Sequence, residues 1–134
     1  AILINGFRPS AIEGITGDLL GAISDISMQQ PEPVSETPLS MLQSIEGVYE
    51  SFDTHITVAT RDNKLMANIV YKIDPLPPME LELRHMQDKD LGHLTFAPYT
   101  SDGRRVPSIV FLENDEQGVP QYLLNGGRQN RRIA

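Results

Sequence analysis

Met79-Glu80-Leu81-Glu82-Leu83-Arg84-His85 sets apolar and charged residues by turns, and this stretch decides the fold. Successive side chains of a strand point to opposite faces, so a period of two puts methionine and leucine on one side and charge on the other. His85 prolongs the apolar row. The same rhythm runs outward in both directions. Val48 to Phe52 and His55 to Thr60 carry β-branched and aromatic residues. The polar tip Arg61-Asp62-Asn63-Lys64 then leads into Leu65, Ala67, Ile69, Tyr71 and Ile73, which predicts a hairpin. Three prolines within Asp74 to Pro78 break the ladder. Beyond the central stretch, Leu94 to Tyr99, Ser108 to Glu113, Gln121 to Leu124 and a last short strand at Asn130 to Ile133 continue the series. Their separators, Ser101-Asp102-Gly103, Asn114 to Gly118 and Asn125-Gly126-Gly127, have turn chemistry. About eight short strands joined by hairpin-length turns predict a mainly β fold, an antiparallel up-and-down barrel or a sandwich, with the barrel preferred. Closure removes the exposed edges that a small open sheet must protect.

The amino-terminal third reads differently. Ala1-Ile2-Leu3-Ile4 is a short apolar run that stops at Asn5-Gly6 and predicts a buried strand. Its start at alanine, without a basic leader, suggests that further chain precedes it. Ser10 and Glu13 have the spacing of a capping box. Behind them Ile12, Ile15, Leu19, Ala22 or Ile23, and Ile26 trace one face of a helix of about four turns. Gly14, Gly17 and Gly21 each weaken a free helix by nearly ~1 kcal/mol relative to alanine, so this helix needs close tertiary packing. Gln29 to Pro38 holds three prolines and little that is apolar, which predicts a semi-rigid linker. Thr37 then stands as a cap before Pro38, with Leu39, Leu42 and Ile45 on a short helix face. The expected organisation is residues 1–28 as a terminal strand and helix, 29–38 as linker, and 39–134 as the barrel.

Composition limits the chemistry. The chain has 134 residues, 40% of them hydrophobic, and neither cysteine nor tryptophan. Without thiols there are no disulfides, thiolate zinc sites, thiol nucleophiles or iron–sulfur clusters. Eighteen acidic against eleven basic residues give −7, which disfavours general affinity for nucleic acid or anionic membrane. No apolar run approaches the ~18 residues of a membrane span. Arg128, Arg131 and Arg132 make the end of the chain locally cationic; without interleaved aromatics they read as solvated charge around a final strand.

Catalytic motifs are missing. No serine has lysine three residues later, and the Gly-x-Ser-x-Gly elbow, the His-Glu-x-x-His helix, the phosphate loop and the dinucleotide fingerprint do not occur. His55, His85 and His93 lack metal-ligand spacing with Asp53, Asp88 or Asp90, so neither metal nor cofactor is expected. Asp88-Lys89-Asp90 reads as a solvated tip, and Glu80 and Glu82 as an outer strand face. Tyr49, Tyr71 and His85 are the candidate ligand-binding residues, as aromatic walls with polar tips inside a barrel. The competing reading makes the tyrosines core and rim residues, and His85 a buried histidine satisfied by a neighbouring hydroxyl.

The order of pieces carries a resemblance. An apolar strand ending in Asn5-Gly6, an amphipathic helix, a proline-rich linker and a short helix precede Ile45-Glu46-Gly47-Val48-Tyr49-Glu50-Ser51, which opens a β-meander. This resembles the carboxyl-terminal region of β-lactamase-related, penicillin-binding-protein-like serine hydrolases, many of which append a lipocalin-like barrel beginning Gly-x-Tyr. Gly47 and Tyr49 match that opening, and Gly126-Gly127-Arg128 with Arg131-Arg132 matches its last turn and strand. The family's Ser-x-x-Lys, Tyr-x-Asn and Lys/His-x-Gly motifs lie upstream of the matching region, and Tyr122-Leu123-Leu124-Asn125 has the wrong spacing to replace one. The resemblance therefore implies a non-catalytic accessory domain of a parent hydrolase acting on peptide, ester or amide bonds. The implied partner is an N-terminal catalytic domain, with self-association through the helix face as a second possibility and neither nucleic acid nor membrane span. The family is often exported or periplasmic. The alternative expectation is an independent lipocalin-like binder of a small apolar ligand.

Overall fold

The computed structural model of the chain describes residues 9–24, 33–34, 36–86 and 94–134. The chain divides into two compact units, Ala1–Glu32 and Pro33–Ala134, with the boundary in sequence inside the proline-rich stretch. The strand expected at 1–4, the side chains of Ser10 and Glu13, and the tip at 88–90 lie outside the described residues. In the first unit, α1 spans Pro9–Ser24. No helix among the described residues is long and apolar enough to cross a membrane.

The second unit opens with α2 (Leu39–Ile45) and continues through β1 (Gly47–Glu50), β2 (Thr54–Arg61), β3 (Lys64–Tyr71) and β4 (Met79–His85). β5 (Leu94–Tyr99), β6 (Ile109–Asn114), β7 (Pro120–Asn125) and β8 (Arg128–Arg132) complete it. Each strand pairs with the next, and β8 returns to β1, giving a closed antiparallel up-and-down barrel of eight strands. The alternation read at Met79 to His85 is realised in β4. Leu81 and Leu83 are buried, while Glu80 and Arg84 are exposed. On the outer face Arg61 bonds Glu80 at 2.9 Å, and Lys64 and Arg84 hold Glu82 at 3.0 and 2.9 Å. Such exposed pairs add little stability each, typically under ~1 kcal/mol.

Turn chemistry fixes the register. Asp62 and Asn63 close β2–β3 with φ of 50° and 60°, and Gly126 and Gly127 close β7–β8 with φ of 55° and 82°. Two successive left-handed residues match the right-handed twist of the flanking strands. Val34 donates its amide to the His85 carbonyl at 2.9 Å, and Pro33 bridges Met86, so the last part of the linker is fastened to the end of β4.

Three local expectations are corrected. Phe52 and Ile73 belong to the turns beyond β1 and β3 rather than to the strands, and they stand 74% and 63% exposed. Past the last β2–β3 pair, Thr54 with Tyr71, only one more backbone bond forms, Lys72 donating its amide to the Asp53 carbonyl at 2.8 Å. Thr37 does not cap α2. The N-cap is Pro38, whose ψ of 133° is extended and whose carbonyl receives the amides of Met41 and Leu42, and no side chain caps the helix. Thr37 therefore sits one residue outside the cap position.

The core is contiguous. Leu42 and Ile45 of α2 pack with Tyr49, Ile56, Leu65, Ile69, Leu81, Phe96, Phe111 and Leu123 from the strands. At the junction of α2 and β1, a Cβ on Gly47 would stand 2.5 Å from the Ala134 carbonyl oxygen and 2.9 Å from the Arg132 guanidinium carbon. Only glycine fits there. Gly47→Ala is expected to destabilise the barrel by about 1–3 kcal/mol. Urea unfolding followed by circular dichroism measures this, and an unchanged midpoint would contradict the close approach.

Candidate functional site

Tyr49, Tyr71 and His85 all occupy inward positions of their strands, as the alternation implies, but at different levels of the barrel. Tyr49 pairs with Ile56 and Arg132, Tyr71 pairs with Thr54 at one rim, and His85 pairs with Phe96 near the opposite rim. Between these levels lie packed side chains. Tyr49, Ile56, Phe96, Ile109 and Leu123 are 0% exposed and Leu65 and Phe111 are 1% exposed, which leaves no water-sized space beside them. Aromatic contacts bridge the interior instead. Tyr49 meets Phe111 edge-on at 5.6 Å, Phe111 meets Phe96 at 5.5 Å, and Phe96 meets His85 at 5.3 Å. Each such contact adds to the area buried. The candidate trio is thus spread along a filled interior rather than around a common chamber, and Tyr71 packs against the core from the rim.

Tyr49 is also part of a polar clamp that reading the sequence missed. Its hydroxyl donates to the Ile45 carbonyl at 2.9 Å and accepts from Arg132 Nη1 at 3.1 Å. The Arg132 guanidinium further donates to the carbonyls of Ser44, at 3.4 Å, and Glu46. Carbonyls at a helix end have no partner within the helix and carry the negative end of its dipole, so a cation there is well placed. Burial pushes the Tyr49 hydroxyl above its ordinary pKa, with the Arg132 charge and hydrogen bond pulling partly back. The solvated charge expected of Arg132 is thereby corrected. The signal that identifies it is period two in β8, where Asn130 and Arg132 share the inward face.

Asn130 anchors a second polar group, also unread in the sequence. It is 0% exposed, receives the Thr54 hydroxyl at 2.7 Å, and donates through Nδ2 to the carbonyls of Leu123 and Arg128, both at 3.3 Å. Ser51 Oγ lies 2.8 Å from the Thr54 hydroxyl and donates to Asp53 at 2.7 Å, while Arg128 pairs with Asp53 and its guanidinium lies over Phe52. Two of the three terminal arginines therefore have inward or local partners rather than forming a free cationic tail. These serine, threonine and aspartate groups satisfy one another. A nucleophilic serine needs a base that can take its proton, and the Asp53 carboxylate is already committed to Arg128.

Among the described residues no three histidine, aspartate or glutamate side chains gather closely enough to hold a metal ion. Neither the family models nor the curated proteins contain a match to this chain. What the geometry offers is a packed barrel with a polar lock near each end, and outward-facing surfaces for any contact with other molecules.

His85 gives a pH test. Burial holds its imidazole below the ordinary value of 6.5, so the unfolded chain takes up the proton first. Its contribution is complete above about 6.5 and is lost as pH falls through the lower folded value. Thermal unfolding from pH 7.5 down to 5 is expected to show a decline for the wild type that is shallower in His85→Gln. Parallel curves would show that His85 carries no folding-linked proton.

Proposed function

We propose that this chain is a non-catalytic accessory module of a larger serine hydrolase of the β-lactamase-related kind, acting by contact rather than by chemistry. The observation that carries the contact role is the apolar stripe of α1. Ile15, Leu19 and Ile23 follow at four-residue steps and stand 43%, 46% and 80% exposed. Isolated apolar side chains on a surface are ordinary, but a row along one helix face is the form of a surface made to be covered. The hydrolase attribution rests on the order of motifs from Asn5-Gly6 to Gly47-x-Tyr49. The packed interior favours this reading over an internal ligand site, because an enclosed ligand needs a volume that the side chains already occupy.

In this role the barrel holds loops at fixed positions. The Asp62-Asn63 tip and the loop carrying Asp102 lie at opposite ends of the barrel, since one follows β2 and the other follows β5. Only one of them can reach a given cleft of a partner domain. Loops on a rigid scaffold are where such contacts vary.

A covalent serine-directed probe, a fluorescent penicillin or fluorophosphonate, tests the attribution on the natural gene product beside this chain. Labelling that maps outside these 134 residues is expected. Labelling within them, or a natural product that does not label at all, would overturn it. Leu19→Asp with Ile23→Asp is expected to weaken association of the chain with its partner domain, or with itself, by sedimentation velocity. The barrel's melting temperature should stay within experimental error, and unaltered association would remove α1 as the contact face.

A further inference from the structure

At one end of the barrel β1–β2, β3–β4, β5–β6 and β7–β8 are joined by residues 51–53, 72–78, 100–108 and 126–127, all of them described. This end carries three large apolar side chains in the open. Phe52 is 74% exposed, Ile73 63% and Leu76 54%. They are not scattered singly. Phe52 and Ile73 stand one residue beyond the Asp53–Lys72 backbone bond, one on each chain, and Leu76 follows three residues later in the same loop. Large apolar groups gathered on adjacent connections mark a surface made to meet an apolar partner or medium.

Backbone and charge decide which. Within 74–78, Pro75, Pro77 and Pro78 have no amide hydrogen, and Leu76 gives its own to the Asp74 carbonyl at 2.7 Å. Four of these five residues therefore offer no backbone donor outward. Protein partners are held by about one hydrogen bond per 100–200 Å² of interface, which a donor-poor loop serves badly. An amide carried into lipid without a partner is costly, so the same loop suits a lipid surface well. Charge at this end is balanced. The connections hold Asp53, Asp74 and Asp102 against Lys72, Arg104 and Arg105, and the adjoining strand ends add Glu50 and Arg128. Arg128 pairs with Asp53, and Lys72 with Glu50 at 2.6 Å. None of the chain's excess negative charge therefore falls beside the apolar tips. A zwitterionic headgroup layer has the same even mix of signs.

We propose that this end of the barrel rests on a zwitterionic lipid bilayer, with Phe52, Ile73 and Leu76 at the level of the uppermost acyl carbons and the paired charges among the headgroups. The contact is peripheral. It needs neither a membrane-spanning segment nor anionic lipid, and it uses neither α1 nor the accessory role, so it stands independently of both. Three side chains are an apolar load at most comparable with one myristoyl chain, which by itself gives only marginal, reversible binding. Affinity is therefore weak and appears at millimolar lipid.

The chain has no tryptophan, so Phe52→Trp provides a single fluorescent reporter at the tip. Ile133→Trp, at a site 56% exposed just past the end of β8, is the control at the opposite end. With phosphatidylcholine vesicles at millimolar lipid, the Phe52→Trp emission is expected to shift to the blue and to be quenched by phosphatidylcholine brominated high on the acyl chain. Both responses should survive raised salt, since they rest on apolar contact. The Ile133→Trp emission is expected to stay unchanged. Adding Ile73→Asp and Leu76→Asp to Phe52→Trp is expected to weaken lipid binding by at least about tenfold. Both side chains are exposed, and circular dichroism checks that the barrel melts as before. A Phe52→Trp emission that lipid leaves alone, an equal response from Ile133→Trp, full binding in the doubly charged variant, or loss of binding on adding salt would each overturn the proposal. So would a blue shift that follows protein concentration without lipid, which would assign the tips to a second copy of the chain.

Discussion

The Arg132 guanidinium is the contact on which closure of the barrel depends. β1 is a strand of four residues; it pairs with β8 through Tyr49 with Arg132 and Glu50 with Arg131, and Val48 adds backbone bonds to Ala134 and from Ile133, both at 2.8 Å. With two paired positions this ladder is the shortest of the barrel. Arg132 reinforces it by binding the carbonyls of Ser44 and Glu46 and the Tyr49 hydroxyl at once. The last strand is thereby tied to the helix that precedes the first. A guanidinium suits this position better than an ammonium, because its planar fork presents several donors in fixed directions and its face lies against the Tyr49 ring. The close approach also explains Gly47. A side chain there would occupy the space in which the guanidinium and the Ala134 carbonyl meet the backbone.

Near the other rim, Asn130 does for the turns what Arg132 does for the seam. Its side chain uses both its acceptor and its donors, joining β2 through Thr54 to β7 through Leu123. A buried amide left partly unsatisfied would cost about 1–3 kcal/mol, so a network this complete also selects one register. Between the two polar groups the interior is aromatic and aliphatic, and it is filled. That combination makes a stiff support. Its outer surface and the loops at either end are then what it presents to other molecules.

The strands were legible because one face of each is buried. Wherever period two ran for several residues, as in Leu65 to Tyr71 or Met79 to His85, the burial follows it residue by residue. The turns were legible where the chemistry is local, at Asp62-Asn63 and Gly126-Gly127. Strand ends were less so. Phe52 and Ile73 have strand-forming side chains, but the chain has already left the sheet at both positions, beyond the cross-strand hydrogen bond between Asp53 and Lys72. No local pattern contains that bond, since its two partners are brought together only by pairing of β2 with β3.

The candidate site divides in the same way. By itself the sequence determined that Tyr49, Tyr71 and His85 face inward, since side-chain direction along a strand is a matter of counting. It also determined antiparallel strands in sequence order, because the connections are of hairpin length, whereas closure into a barrel rather than a sandwich was settled by the pairing of β8 with β1. Only the tertiary structure decided how far apart the three residues lie, what fills the space between them, and which charges turn inward. Arg132 and Arg128 look alike in a cationic tail, yet one faces helix carbonyls and the other an aspartate. The physical reason is that a hydrogen bond across the barrel joins residues as distant as Arg132 and Ser44, and the worth of a buried charge depends on the acceptors that closure brings to it.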